Sequence, residues 1–214
     1  MKYHVLFLVG TLLWAAAVPA REEGSTLTRS GDVSAGDSIA PNRANGEVAG
    51  CLYVGGGMGY SIEIFSGELD SLDWDSAYNL DLKAGYFFND FSAFEIVAGY
   101  AGPFLHKQEV FGSDYEDMLN VFSLTLNLKV LMPVAENFSL YAVGGAGYGW
   151  ARVEWDYDNT HDSESGNWLR VGAGMNFYAT EHATLELEIT YNAGMGDIED
   201  LRYVGLTGNA LWIF

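Results

Sequence analysis

LRYVGLTGNALWIF, residues Leu201–Phe214, alternates with period two. Val204, Leu206, Gly208, Ala210, Trp212 and Phe214 share one parity; Tyr203, Gly205, Thr207, Asn209, Leu211 and Ile213 share the other. Period two is a β-strand. One face is wholly apolar or glycine, and the other mixes polar, small and apolar residues. Such a strand at a free sheet edge in water invites aggregation. A strand that faces lipid and closes a barrel has no free edge. The sequence closes on the aromatic, so Phe214 is expected to be the end of a closing strand.

Working back from this stretch, the alternation recurs. Leu52, Val54, Gly56, Met58, Tyr60 and Ile62 oppose Tyr53, Gly55, Gly57, Gly59 and Ser61. Tyr78, Leu80, Leu82, Ala84 and Tyr86 oppose Asn79, Asp81, Lys83, Gly85 and Phe87. Phe94, Ile96, Ala98 and Tyr100 form the outer face of a third strand, and Phe122, Leu124, Leu126, Leu128 and Val130 that of a fourth. Leu140, Ala142, Ala146, Tyr148 and Trp150 belong to a fifth. Leu169, Val171, Ala173, Met175 and Phe177 mark a sixth, and Leu185, Leu187, Ile189 and Tyr191 a seventh. The terminal stretch is the eighth. Connections alternate: short near Phe88–Asp90, Pro133–Asn137 and Ala179–Ala183, long over Glu63–Ala77, Ala101–Asp117 and Arg152–Asn167, with a smaller one at Ala193–Asp200. Short turns at one end and long loops at the other are the habit of an outer-membrane barrel.

The second face settles which side is inside. It carries most of the strand glycines, together with Lys83, Glu95, Lys129, Arg170, Glu186 and Glu188. Glycine weakens a water-exposed strand, but in the lumen of a small barrel it makes room for large neighbours. Tyr60, Tyr78, Tyr100, Trp150 and Tyr191 fall at the long-loop ends; Phe94, Phe138, Phe177, Trp212 and Phe214 fall at the short-turn ends. Two aromatic belts mark two membrane interfaces.

Composition agrees. The 214 residues include 26 glycines and only 4 prolines, and 49% are hydrophobic, yet no segment after residue 20 approaches the ~18 continuous apolar residues of a membrane helix. The net charge of −19 speaks against a nucleic-acid partner. Residues 1–20 read as a signal peptide: Lys2, an apolar run Val5–Val18, then Val18-Pro19-Ala20 at a cleavage site. Residues 21–45 are polar and poor in large apolar residues, the composition of a disordered arm. Residues 46–214 are the barrel. The single cysteine, Cys51, excludes an intramolecular disulfide.

The chain resembles the outer-membrane β-barrel family that includes the OmpA transmembrane domain and the OmpX/Ail and opacity-type proteins. The resemblance rests on YVGGGMGY (53–60), AGYFFNDFSAFEIVAGY (84–100), LTLNLKV (124–130), ENFSLYAVGGAGYG (136–149) and the closing Phe214. It implies an all-β, eight-stranded antiparallel up-and-down transmembrane barrel in the bacterial outer membrane. It also implies lipid and lipopolysaccharide contacts, and recognition of Phe214 by periplasmic chaperones and the barrel-assembly machinery. It does not imply one activity, since the architecture hosts several.

Chemistry beyond architecture is sparse. GGGMG and GGAGYG lie inside strands, with no helix following to make a phosphate loop. Glu68, Asp70, Asp73 and Asp75, and Glu154, Asp156, Asp158, Asp162 and Glu164, lack the glycine spacing of a calcium loop. They read as an acidic outer surface. His106 and His161, near Ser113, Asp114, Asp162 and Ser163, form no nucleophile–base pattern, and His182 belongs to a turn. No catalytic, cofactor-binding or metal-binding residue is assigned, and no cofactor. The expected role is structural or surface-interacting, as an adhesin or envelope stabiliser acting through acidic extracellular loops, with Trp74, Tyr115, Trp155 and Tyr157 available for a partner. The alternatives are a lipid A-modifying enzyme and a small pore. Finally, a three-residue turn at Phe88-Asn89-Asp90 predicts Lys83 opposite Glu95 and Tyr78 opposite Tyr100, with a lumen cluster of Lys83, Glu95 and Lys129 balanced by Glu186 or Glu188.

Overall fold

The computed structural model describes residues 48–66, 74–110, 113–156 and 160–214. All lie in the unit Pro41–Phe214. The expectations for residues 1–20 and 21–45, and for Glu68, Asp70, Asp73, Tyr157 and Asp158, lie outside the described residues.

Eight strands close a barrel in sequence order, each antiparallel to the next, with β1 pairing β8. They are β1 (Leu52–Glu63), β2 (Ala77–Asn89), β3 (Ser92–Val110), β4 (Ser113–Ala135), β5 (Phe138–Trp155), β6 (Thr160–Tyr178), β7 (Ala183–Met195) and β8 (Arg202–Ile213). A short 3-10 turn, Gly196–Ile198, joins β7 to β8.

The barrel is inverted relative to a soluble one. On β2, Leu82 is 70% exposed and its neighbour Lys83 3%. The outward parity of every strand carries exposed Leu, Ile, Val, Met and aromatic side chains. Burying charge and exposing leucine is stable only against hydrocarbon. Both belts are present. At one end Tyr60 packs on Tyr78 and Tyr100 on Phe122; at the other Phe88 packs on Phe94 and His182 stacks on Trp212.

The β2–β3 register differs from the sequence expectation. Lys83 pairs with Val97, Gly85 with Glu95 and Leu80 with Tyr100, while Tyr78 pairs with Tyr60 of β1. The turn is tighter than three residues. Asn89 pairs with Ser92, the Asn89 side chain accepts the Phe91 N–H, and a bulge between Phe87 and Asn89 restores the face alternation.

The long connections also differ. Most of Ala101–Asp117 and Arg152–Asn167 is not loop but ladder. β3 and β4 pair out to Val110–Ser113, and β5 and β6 to Trp155–Thr160. β4 has 23 residues, about twice the ~9–11 that cross a membrane. Beyond the belt both faces of the sheet can meet water, so apolar alternation ceases while the hydrogen-bond ladder continues. A bulge between Ala101 and Phe104 sits at this rim and turns Phe104 into the barrel, where it is fully buried.

Candidate functional site

The lumen is filled in three layers, and β2 shows their order. From the short-turn end its inward residues run Phe87, Gly85, Lys83, Asp81, Asn79, Ala77. Phe87 belongs to an apolar layer with Val48, Cys51, Tyr53, Ala93, Leu131, Tyr141, Val143, Leu211 and Ile213. The inward Leu211 and Ile213 of β8 thus find their partners. Ala77 belongs to a second apolar layer near the long-loop end, with Phe65, Trp74, Phe104, Leu119, Trp168, Ile198 and Tyr203 among its members.

Between the two lies a charged layer. Glu186 of β7 takes Lys83 of β2 at 2.5 Å and also Lys129 of β4. Lys83 reaches on to Glu188 at 3.0 Å. Arg170 of β6 bridges Asp81 and Glu188, each at 2.6 Å. Two tyrosines complete it. The Tyr53 hydroxyl donates to Glu95 and the Tyr141 hydroxyl to Glu188, both at 2.8 Å. Asn209 donates to Glu186 at 3.1 Å, and the Lys129 ammonium lies 3.9 Å from the centre of the Tyr141 ring. The predicted cluster is therefore inside the barrel, but with its roles rearranged. Glu186 and Glu188 hold the lysines, whereas Glu95 holds a tyrosine.

Glycine makes this layer possible at two points. Tyr53 lies over Gly85 and Tyr141 over Gly174, so closely that a Cβ at either glycine would strike the ring. The tyrosines could not otherwise reach the carboxylates across so narrow a barrel. Buried charges without partners would be prohibitive here; paired and hydrogen-bonded, they fix which strands face one another. Parity alone places Asp81, Arg170 and Tyr53 inward, and Tyr141, between the outward Leu140 and Ala142, follows the same alternation. Their pairing across the lumen depends on register around the whole ring, which no local pattern encodes.

The cork at the long-loop end includes a residue that sequence reading missed. Ile198, from the β7–β8 connection, is buried against Gly149, Gly166 and Gly194. Any side chain on these glycines would occupy its place.

The loop histidines are dispersed. His106 pairs across strands with Asp117 and packs its ring 5.6 Å from Trp74. His161 is exposed opposite Glu154. Ser113 and Asp114 lie farther out on β4, opposite Val110 and Glu109. His182 lies in the β6–β7 turn, where its ring Nδ1 is 3.0 Å from the Ile213 carbonyl.

On the projecting hairpins Lys107 pairs with Glu116 at 3.9 Å and Arg152 with Glu154 at 3.0 Å. That leaves exposed Asp156, Asp162 and Glu164 without a cation among the described residues.

Residues 35–214 match the family model described as outer membrane protein beta-barrel domain. The fold is similar to Neisserial surface protein A (TM-score 0.57, 16% identity, 77% of this chain and 99% of that one). It is also similar to OprG of Pseudomonas aeruginosa (0.54, 19%, 78% and 96%). A third likeness is to Ail, the attachment invasion locus protein of Yersinia pestis, in complex with the heparin analogue sucrose octasulfate (0.51, 21%, 78% and 100%). No curated protein sequence matches the chain.

Proposed function

Because the chain belongs to the family of outer-membrane protein β-barrel domains, we propose that this bacterial outer-membrane protein is a closed anchor presenting an acidic, projecting β-sheet to partners outside the cell. The observation that carries the reading is the placement of the extra strand length. β3 to β6 continue past the aromatic belt as paired strands, and on and beside the β5–β6 hairpin the exposed Asp156, Asp162 and Glu164 lack cations among the described residues. The filled lumen supports an anchor over a pore, and the scattered histidines support a binding role over an enzyme.

The chemistry selects the partner class. Ail was solved with a polyanion, but this acidic surface would repel one and attract a cationic segment of a protein. Divalent cations bridging to lipopolysaccharide phosphates belong to the same reading. The test is binding of a lysine-rich peptide to cells expressing the protein. Asp156→Asn, Asp162→Asn and Glu164→Gln together should lower binding and flatten its salt dependence. Equal binding by the neutralised variant overturns the reading. Steady conductance in planar bilayers would favour the pore, and a mass change in lipid A the enzyme.

A further inference from the structure

The chain enters β1 through a tight turn at the short-turn end of the barrel, the periplasmic end of an outer-membrane barrel. The Cys51 N–H donates to the Val48 carbonyl at 3.1 Å, and Gly50, third in that turn, has φ +83°. These are the marks of a type II turn, which favours glycine at that position. The turn is fastened to the β2–β3 connection. One Asp90 carboxylate oxygen accepts the Val48 N–H at 3.0 Å and the Ala49 N–H at 3.1 Å, and the Gly50 N–H donates to the Phe87 carbonyl at 2.7 Å. Val48 is 3% exposed and caps the apolar layer that contains Cys51, Tyr53 and Tyr141. Ala49 and Gly50 are exposed, and Asp90 is half-buried.

These fastenings are separable from the barrel. The ladder between β1 and β2 begins at Leu52–Tyr86, and the Phe87 N–H donates to the Cys51 carbonyl at 2.9 Å. Lifting Val48 to Gly50 breaks three hydrogen bonds and the burial of one valine, and leaves both ladders of β1 intact. Segments held by so few contacts open locally, well below the cost of global unfolding.

We propose that Val48–Gly50 is a latch on the periplasmic mouth, pinned by Asp90, which opens without unzipping the barrel and bares Cys51 and the apolar layer around it to the periplasm. A closed latch completes the seal at that end; an open one leaves the lumen reachable from the periplasm while the outer cork stays in place.

Cys51 is the only cysteine, so it reports on the latch directly. The full chain, folded in detergent micelles, is treated with N-ethylmaleimide and Cys51 alkylation is followed by mass. The wild type should react far more slowly than the unfolded chain. Asp90→Ala removes the pin. Gly50→Ala strains the turn without a clash, since no heavy atom lies within 4 Å of the added Cβ. Each should speed alkylation by about tenfold or more while the folded, heat-modifiable band persists. Folded variants that react at the wild-type rate overturn the proposal, as does wild-type Cys51 reacting as fast as the unfolded chain. Hydrogen exchange on the wild type covers the case in which neither variant folds. The Val48 and Ala49 amides should exchange faster than those of the β1–β2 ladder, and equal protection overturns the latch.

Discussion

Glu186 of β7 and Lys129 of β4 are ion-paired across the barrel, three strands apart, and the same carboxylate holds Lys83 of β2. All three side chains are fully buried. Glu186→Gln therefore leaves two ammonium groups near a neutral amide. Breaking a buried pair in this way costs about 3–5 kcal/mol. Urea unfolding of the barrel in lipid vesicles should show a loss of that order. Glu95→Gln should cost less, about 1–2 kcal/mol, because Glu95 accepts a hydrogen bond from the neutral Tyr53 hydroxyl and makes no ion pair within 4 Å among the described residues. The ordering is the test: if Glu95→Gln proves the more damaging, the assignment of roles in the charged layer is wrong.

The glycines beneath the tyrosines give a second expectation. Gly85→Ala places a methyl against the Tyr53 ring, at a position paired to strands on both sides, with Tyr53 and with Glu95. Overpacking of this kind costs about 1–3 kcal/mol. Gly208 faces lipid with nothing within 4 Å of an added Cβ, so Gly208→Ala should leave stability unchanged or slightly raised. Parallel unfolding curves decide it, and equal effects at the two positions would count against the packing described.

The contrast between Lys83 and Leu82 was legible in the sequence, because period-two alternation fixes which face each residue occupies. So were the number and order of strands and the side of the short turns. The partner of Lys83 was not. Moving β3 by two residues past β2 leaves every side chain on its own face, so parity cannot distinguish Lys83 opposite Glu95 from Lys83 opposite Val97. The Asn89 side-chain turn and its bulge decided the matter, and both are local hydrogen-bond geometry. The projecting hairpins were read as loops for a related reason. Hydropathy alternation reports lipid on one face, and it vanishes where β3–β6 leave the membrane even though pairing continues. Ile198 escaped because it lies in a connection, and the notch it fills is made by glycines from three separate positions.

Export gives a third expectation. Val18-Pro19-Ala20 offers small residues where signal peptides are cut. Mature protein isolated from outer membranes should begin at Arg21. N-terminal sequencing that finds Met1 instead would reject the assignment of residues 1–20.

The fourth expectation concerns closure. The Phe214 N–H donates to the Leu52 carbonyl at 2.8 Å, and the Ile213 N–H to the His182 carbonyl at the same length. The last two residues thus tie β8 to β1 on one side and to the β6–β7 turn on the other. The Phe214 side chain faces outward, 59% exposed, in the periplasmic belt beside Trp212. Deleting Phe214 removes one closing bond and one aromatic anchor, a modest loss for a finished barrel. The family resemblance predicts a second role for the residue, recognition by the assembly machinery. The two roles separate experimentally. If Phe214 acts chiefly in assembly, the deletion should sharply reduce the folded, heat-modifiable band in cells. The same variant refolded from urea into detergent should then form a barrel only slightly less stable than the wild type. Equal folded levels in cells would remove the assembly role, and failure to refold in detergent would place the whole effect in barrel closure.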